Sequence, residues 1–524
     1  MDSDLLSSLN TSPTTQTPLI RRAEGVTEAE RYLQKLCNRS FLSLWSYSGI
    51  YRDQNGKISG KAGDGKEVCD LLVVFQNHIL IFSDKDCRFP ESGNLELDWS
   101  RWFRRAVLDS AKQVYGAERW IKEHPDRLFT DRACTQRFPV ELPPLDKAIF
   151  HRIVVAHDGA RRCREELGGS GSLMIAPHIV GDQHSAPFSK GGRAFTFGQV
   201  DPARGYVHVF DDTSLDIVMQ TLDTVSDFVA YLQKKEAFVL SGRLGMAAGE
   251  EELLAHYLKR LNPNDEHDFV VPSILDKIYL AEGDWEEFTT NPQRLAQIEA
   301  NKVSYFWDSL IEEFCRHIYA GTSYMISHPN LRDQEKLFRL AARETRTRRR
   351  MLSTALFELM EKTPLDQRGL RVFRPSGPGD PYYAFLLLPH LKTIPEAQYR
   401  EVRGHFLEAV CRVVKVKFPD AQDVMGIATE TGINSYSSHD AVYFDARQWT
   451  PEDEAETRKL QQDLGILVNV EQFARRESEY PSLKATAYKK SVAPTPNRYP
   501  ANYACPCGSG RKYKRCCGQA NTSN

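Results

Sequence analysis

The stretch "VCDLLVVFQNHILIFSDKD", Val68 to Asp86, decides how the first half of the chain is read. Two apolar runs, rich in β-branched and aromatic residues, flank a short polar turn near Asn77. That pattern predicts a β-hairpin with both strands buried. Its charges are few and sit at the open end. Asp70 lies among the apolar residues that start the first strand, and Ser83, Asp84 and Lys85 end the second. A carboxylate set in an apolar strand is costly unless it is paired or binds a metal. Register decides its partner. A two-residue turn at Asn77-His78 sets Asp70 against Lys85, puts Ser83 on the same face and turns Asp84 away. A three-residue turn sets Asp70 against Asp84 and turns Lys85 away. A carboxylate beside a lysine at a sheet edge suits a divalent ion that polarises a phosphate and lowers the pKa of a water, with the lysine offsetting developing charge. The simpler alternative is a structural ion pair among Asp70, Asp84 and Lys85 that closes the strand end.

The flanks extend this into an α/β unit. Residues 1–24 are rich in Ser and Thr and read as a disordered tail. From Thr27, "TEAERYLQKLCNRSFLSLWSY" spaces its apolar residues as a helix, with Thr27 and Glu30 as a capping box. A glycine-rich turn region ending at Glu67 leads into the hairpin. After it, "WSRWFRRAVLDSAKQVYGAERWIKEH" reads as one long helix carrying Ser110, Lys112 and Gln113. Further strands are expected at "FHRIVVAHD", "SLMIAP", "AFTFGQV" and "YVHVFDD", which completes a first domain over residues 25–290. Long helices followed by strands at "YYAFLLLP", "DVMGIATE" and "AVYFDA" predict a second α/β domain over 291–480. Within it, Arg346, Arg348, Arg349 and Arg350 form the sharpest basic cluster of the chain. They read either as nucleic-acid-binding residues facing phosphates or as a solvated helix face.

Composition narrows the class. Acidic and basic residues nearly balance over 524 residues, at a formal net charge of −2, so a globally cationic nucleic-acid binder is not indicated. No apolar run reaches the roughly 18–20 residues that span a bilayer, and the polar, acidic start is unlike a signal peptide. Seven of the eleven cysteines are scattered, as reduced core thiols of a cytoplasmic protein would be.

The other four, Cys505, Cys507, Cys516 and Cys517, crowd into "ACPCGSGRKYKRCCGQ" near the C-terminus. Four thiolates at this spacing can close a tetrahedron around Zn2+. Gly508 and Gly510 allow the tight reversal between them, and the four basic residues of the loop favour thiolates. A disulfide between adjacent Cys516 and Cys517 would be strained. The Pro-rich residues 481–502 read as a linker, and 503–520 as a small zinc knuckle. Its positive charge suits an acidic protein or nucleic acid.

Two resemblances follow from these residues. "CPCGSGRKYKRCC" resembles the SEC-C motif, the zinc-binding tail of the bacterial translocation ATPase SecA. That likeness implies structural Zn2+ and a docking module for proteins or ribosomes. No phosphate loop of the SecA motor type is present upstream. The hairpin, with its preceding and following helices, resembles the PD-(D/E)XK nucleases of the restriction-endonuclease-like superfamily. In those, a helix with a glutamate precedes a hairpin bearing an aspartate and then (D/E)-x-K. The resemblance implies Glu30, Asp70, Asp84 and Lys85 as catalytic residues, with Asp70 on Mg2+ or Mn2+. Glu67, Ser83, Ser110, Lys112 and Gln113 are then in support. Ser83 stands where the family has its second acid, and Asp84 falls in the x position. The expectation is a cytoplasmic, bacterial, metal-dependent nuclease acting on DNA or RNA, of a kind often used in defence against foreign nucleic acid. The alternative is a non-catalytic scaffold that docks through its zinc tail.

Overall fold

The computed structural model describes residues 25, 27–53, 65–320, 331–377, 379–390, 394–431, 438–474 and 477–481. The expected N-terminal tail, most of the linker and the zinc knuckle with its four cysteines lie outside the described residues. Helix α1 (Glu28–Phe41) begins at the expected box: Thr27 Oγ accepts the Glu30 N–H at 3.1 Å, and the Glu30 carboxylate reaches back to the Thr27 N–H. The helix is shorter than its apolar spacing suggests. Leu42 takes φ 63°, and Ser46–Arg52 continues as strand β1. Ser43–Trp45 form a 3-10 turn that buries Leu44 and Trp45, and Tyr47 pairs with Leu72, so only the end of "SLWSY" enters a β-ladder.

The hairpin is β2 (Lys66–Phe75) and β3 (His78–Lys85). Phe75 pairs with His78, so the turn is Gln76-Asn77, with Gln76 at φ 52°. This turn begins one residue before the two-residue turn considered above and is one residue shorter than the three-residue one. The ladder pairs Leu71 with Phe82, and one further step sets Asp70 opposite Ser83, not Lys85 or Asp84. Both faces of these strands are buried, so the apolar pattern is the same in every register and selects none of them.

After the hairpin come α2 (Leu95–Phe103), a π-helical turn (Arg104–Leu108) and α3 (Asp109–Glu123), a nearly continuous rod with one wide turn. The rest of the first half comprises β4 (Ile149–Ala156), α4 (Gly159–Leu167), β5 (Met174–Val180), β6 (Thr196–Gln199), β7 (Val207–Asp211), α5 (Asp212–Thr221), α6 (Val225–Leu240), β8 (Leu244–Ala247), α7 (Glu250–Leu258), β9 (Ile278–Leu280) and α8 (Asp284–Thr290). One sheet runs β1-β2-β3-β4-β7. Its first three strands form an antiparallel meander, and β4 and β7 are parallel to β3. A smaller sheet runs β6-β5-β8-β9.

Helices α9 (Pro292–Asn301), α10 (Tyr305–Ala320), α11 (Leu331–Ala342) and α12 (Arg346–Lys362) lead to β10 (Gly369–Phe373), β11 (Tyr382–Leu388), α13 (Glu396–Lys417), β12 (Asp423–Glu430), β13 (His439–Asp445) and α14 (Pro451–Leu464). The third sheet runs β10-β11-β12-β13, with β11 and β12 parallel across α13. Alternation along β11 divides its residues. Tyr383, Phe385 and Leu387 join the main core, while Tyr382, Ala384 and Leu386 pack with Val410 and Val414 of α13. The molecule is thus mixed α/β with three sheets. The expected boundary near residue 290 is crossed by buried contacts: Trp45 Nε1 donates to Glu335 at 2.6 Å, and Ser43 Oγ donates to Glu312 at 2.8 Å.

The basic run on α12 is neither a phosphate-facing patch nor a solvated face. Arg346, Arg348, Arg349 and Arg350 are all buried. Arg346 donates to Asp223 and Asp308, both at 2.8 Å, and to Ser304 at 3.1 Å. Arg349 donates to the other oxygen of Asp308 at 2.6 Å. Arg348 donates to the Arg374 carbonyl, and Arg350 to Asn301 and the Ser478 carbonyl. Arg346 ties α12 to Asp223 of the first half of the chain, and the donors of all four guanidiniums are directed at internal acceptors instead of a nucleic-acid backbone.

Candidate active site

The charged end of the hairpin lies where β3, β4 and β7 all end, at the carboxyl edge of the parallel part of the sheet. Sites in α/β sheets favour this edge. Asp70 is 9% exposed. One of its oxygens accepts the Asp84 N–H at 2.6 Å, and the other accepts the Gln113 amide at 3.2 Å. Ser83 Oγ in turn donates to the Gln113 carbonyl oxygen at 3.1 Å. The three side chains form one hydrogen-bonded chain across β2, β3 and α3. Burial pushes the Asp70 carboxyl up to about 6. The charges of Asp84 and Glu30 add to this, and the two hydrogen bonds oppose it.

Glu67 opens β2 on an exposed stretch. Partial desolvation and then the charges of Asp70 and Glu30 raise its carboxyl to about 7, against the pull of Arg132. Strand alternation turns the Asp84 side chain to the face opposite Ser83. There its carboxylate meets His157 Nε2 at 2.5 Å. Lys85 pairs with Ala156 in the parallel ladder, so His157 sits one residue beyond the end of β3. Trp102 Nε1 donates to the His157 carbonyl at 3.0 Å and anchors that turn. Burial works against charge on the His157 ring. The hydrogen bond to Asp84 and its charge outweigh it, with Asp212 and Asp86 adding, so the imidazole is raised.

The structure therefore gathers Glu30, Glu67, Asp70, Ser83, Asp84 and Gln113. The ion pair of Asp70 or Asp84 with Lys85 does not form, because Gln113 and a backbone N–H meet one carboxylate and His157 meets the other. Lys85 is exposed and makes no ion pair among the described residues. Lys112 turns outward, 70% exposed, and pairs with Asp109 at 2.9 Å. Ser110 is buried, and its hydroxyl has no hydrogen-bond partner among the described residues. His157 is the residue that the sequence reading missed. The signal was the end of "FHRIVVAHD", which the parallel pairing brings beside "SDK". Asp211, at the same edge, is a helix cap: it accepts the N–H groups of Thr213 and Ser214 at 2.9 and 2.7 Å and that of Leu173 at 3.1 Å.

Chemically, the edge carries four carboxylates: Asp70 on the face of Ser83 and Gln113, Asp84 on the opposite face with the His157 imidazole, and Glu67 and Glu30 within electrostatic range of Asp70. Two of those carboxyls, Asp70 and Glu67, are raised above their ordinary range, by desolvation first and by the neighbouring carboxylate charges second. Carboxylate oxygens are hard donors suited to Mg2+ or Mn2+. Asp70, Glu67 and Glu30 fit such an ion in donor type. Among the described residues, the three-ligand group with mutually close donor atoms lies elsewhere, at His390, Glu396 and Glu430.

The comparisons with known proteins bear on the other end of the chain. A family model described as the SEC-C motif matches residues 502–519, the stretch that holds Cys505, Cys507, Cys516 and Cys517. The motif is generally associated with zinc. No curated protein and no solved structure matches the chain. Among the described residues, no helix is long and apolar enough to cross a membrane.

Proposed function

We propose that the chain is a metal-dependent nuclease of restriction-endonuclease-like build, with a zinc-binding SEC-C tail that docks it to a partner. The observation that carries the reading is Asp70: a buried carboxylate raised to about 6, on the first strand of a hairpin, within electrostatic range of Glu30 and Asp84. The element order, a helix with Glu30, a strand with Asp70, a strand ending in Ser83-Asp84-Lys85 and a helix with Gln113, supports the fold assignment. A divalent ion held by Asp70 with Glu67 or Glu30 would polarise the scissile phosphate. Lys85, with no internal ion pair to break, offsets charge on the phosphate. Asp84 holds the His157 ring by Nε2, so a proton exchanged with substrate would pass at Nδ1. Gln113 orients Asp70. Cys505, Cys507, Cys516 and Cys517 hold Zn2+ in the tail.

The hydrogen bonds from Ser83 through Gln113 to Asp70 favour a second reading. An amide there fills the place of the second acid, as in a core that binds nucleic acid or a protein without turnover. A cleavage assay separates the two. Pure protein with Mn2+ should cut single- or double-stranded DNA or RNA, and Asp70→Asn and Lys85→Met should each lower the rate roughly a hundredfold or more. Equal rates in wild type and Asp70→Asn, or no cleavage of any of the four substrates, would remove the nuclease reading.

A further inference from the structure

A separate constellation sits at the far sheet. β11 and β12 are parallel neighbours, with Leu388 paired to Glu430 at their carboxyl ends. The helix that connects them, α13, starts at Glu396. Its first residue, the last residue of β12 and His390, two residues beyond β11, thus converge on one point by topology alone. One donor atom from each of His390, Glu396 and Glu430 lies within 4.8 Å of the others.

The second layer of contacts orients the donors. His390 Nε2 lies 3.2 Å from the Ile394 carbonyl, which can only accept, so that nitrogen carries the proton. In the neutral ring Nδ1 presents its lone pair toward the Glu396 carboxylate, 3.6 Å away. That arrangement is relieved either by a second ring proton or by a cation between the two acceptors. The separation is long for a hydrogen bond. It is close to what one ion imposes, since two bonds of about 2.1 Å at a tetrahedral angle span about 3.4 Å. Tyr399 stacks on the imidazole with centroids 4.2 Å apart. The other Glu396 oxygen accepts from Ser438 Oγ at 3.0 Å, and Ser438 is held by Arg403 at 2.9 Å. A ligating histidine whose other nitrogen is tied to a carbonyl, beside a hydrogen-bonded carboxylate, is the support that metal sites use.

We propose that His390, Glu396 and Glu430 form a divalent-metal site distinct from Asp70. Its nitrogen–oxygen donor set suits Mn2+, Fe2+ or Zn2+. Glu396 is exposed and the other two are half-buried, so coordination positions remain open to solvent ligands.

Mn2+ is the probe, because hard Mn2+ discriminates against the thiolates of the tail. The full-length, metal-stripped chain carries Asp70→Asn to silence the first site, and free Mn2+ is followed by its paramagnetic resonance. One Mn2+ should bind, and its pulsed spectrum should show coupling to an imidazole nitrogen. Adding Glu430→Gln or His390→Gln should weaken binding by about tenfold or more, and His390→Gln should abolish the nitrogen coupling. Should either variant fail to fold, the nitrogen coupling in the parent chain still decides. No Mn2+ uptake at millimolar concentration, bound Mn2+ without nitrogen coupling, or binding unchanged by both substitutions would overturn the site and leave His390 and Glu396 as an ion pair.

Discussion

At the scale of single residues, Asp70 carries the account. Its folded pKa is raised, so the stability it contributes is fully present below its unfolded value near 3.8 and is lost as pH rises through about 6. At pH 8 the ionised group therefore opposes folding, by on the order of 3 kcal/mol in metal-free buffer. Asp70→Asn should raise the melting temperature at pH 8, and the gain should shrink as pH falls from 6 toward 4. Millimolar Mn2+ should reverse the ranking, because only the wild type gains stability by binding the ion. Melting curves of both proteins across pH, with and without Mn2+, check all three outcomes. His157 is also raised, through Asp84. Its contribution is complete below about 6.5 and is lost as pH rises through its folded pKa. His157→Gln should consequently melt below wild type in mildly acidic buffer and converge with it in alkaline buffer. Equal melting temperatures at pH 6 would show that the Asp84 contact adds nothing.

At the scale of elements, the hairpin and α12 show what the sequence contained and what it did not. Strand and helix identities were legible: "VCDLLVVF" and "HILIFSDK" are β2 and β3, and Thr27 with Glu30 starts α1. Register was not legible. A doubly buried strand has no polar face, so nothing in its pattern distinguishes Asp70 opposite Ser83 from Asp70 opposite Lys85. The burial of Arg346 and Arg349 was hidden for a different reason. Their partners Asp223 and Asp308 are distant in sequence, and a run of arginines looks the same on a solvated helix as on a buried one. The π turn at Arg104–Leu108 likewise sits inside an apolar pattern that reads as continuous helix. Removing one member of a buried ion pair strands the other. Arg346→Met should thus cost roughly 3–5 kcal/mol, visible as a lower urea midpoint, while nucleic-acid affinity stays unchanged. A loss of affinity without loss of stability would return α12 to the nucleic-acid interface.

At the scale of the whole molecule, two assignments meet: an α/β body with a carboxylate cluster at a sheet edge, and a C-terminal SEC-C stretch. The tail was legible from spacing alone, because four cysteines in one short segment have few uses. The site was half legible: Asp70 and the "SDK" triplet stand out in an apolar hairpin, whereas His157 joins them only through the parallel pairing of β3 with β4. If the linker separates tail from body, replacing Cys516 and Cys517 by Ser should remove one equivalent of zinc by metal analysis and leave the main melting transition in place. A large fall in that transition would make the tail part of the core. The central claim, that the hairpin end holds a divalent ion, is tested most directly by diffraction from crystals soaked in Mn2+ and measured for anomalous scattering. A peak about 2.1 Å from an Asp70 oxygen, lost in Asp70→Asn crystals, is the predicted result. Crystals of the wild type with full Mn2+ exposure and no peak beside Asp70 would contradict it.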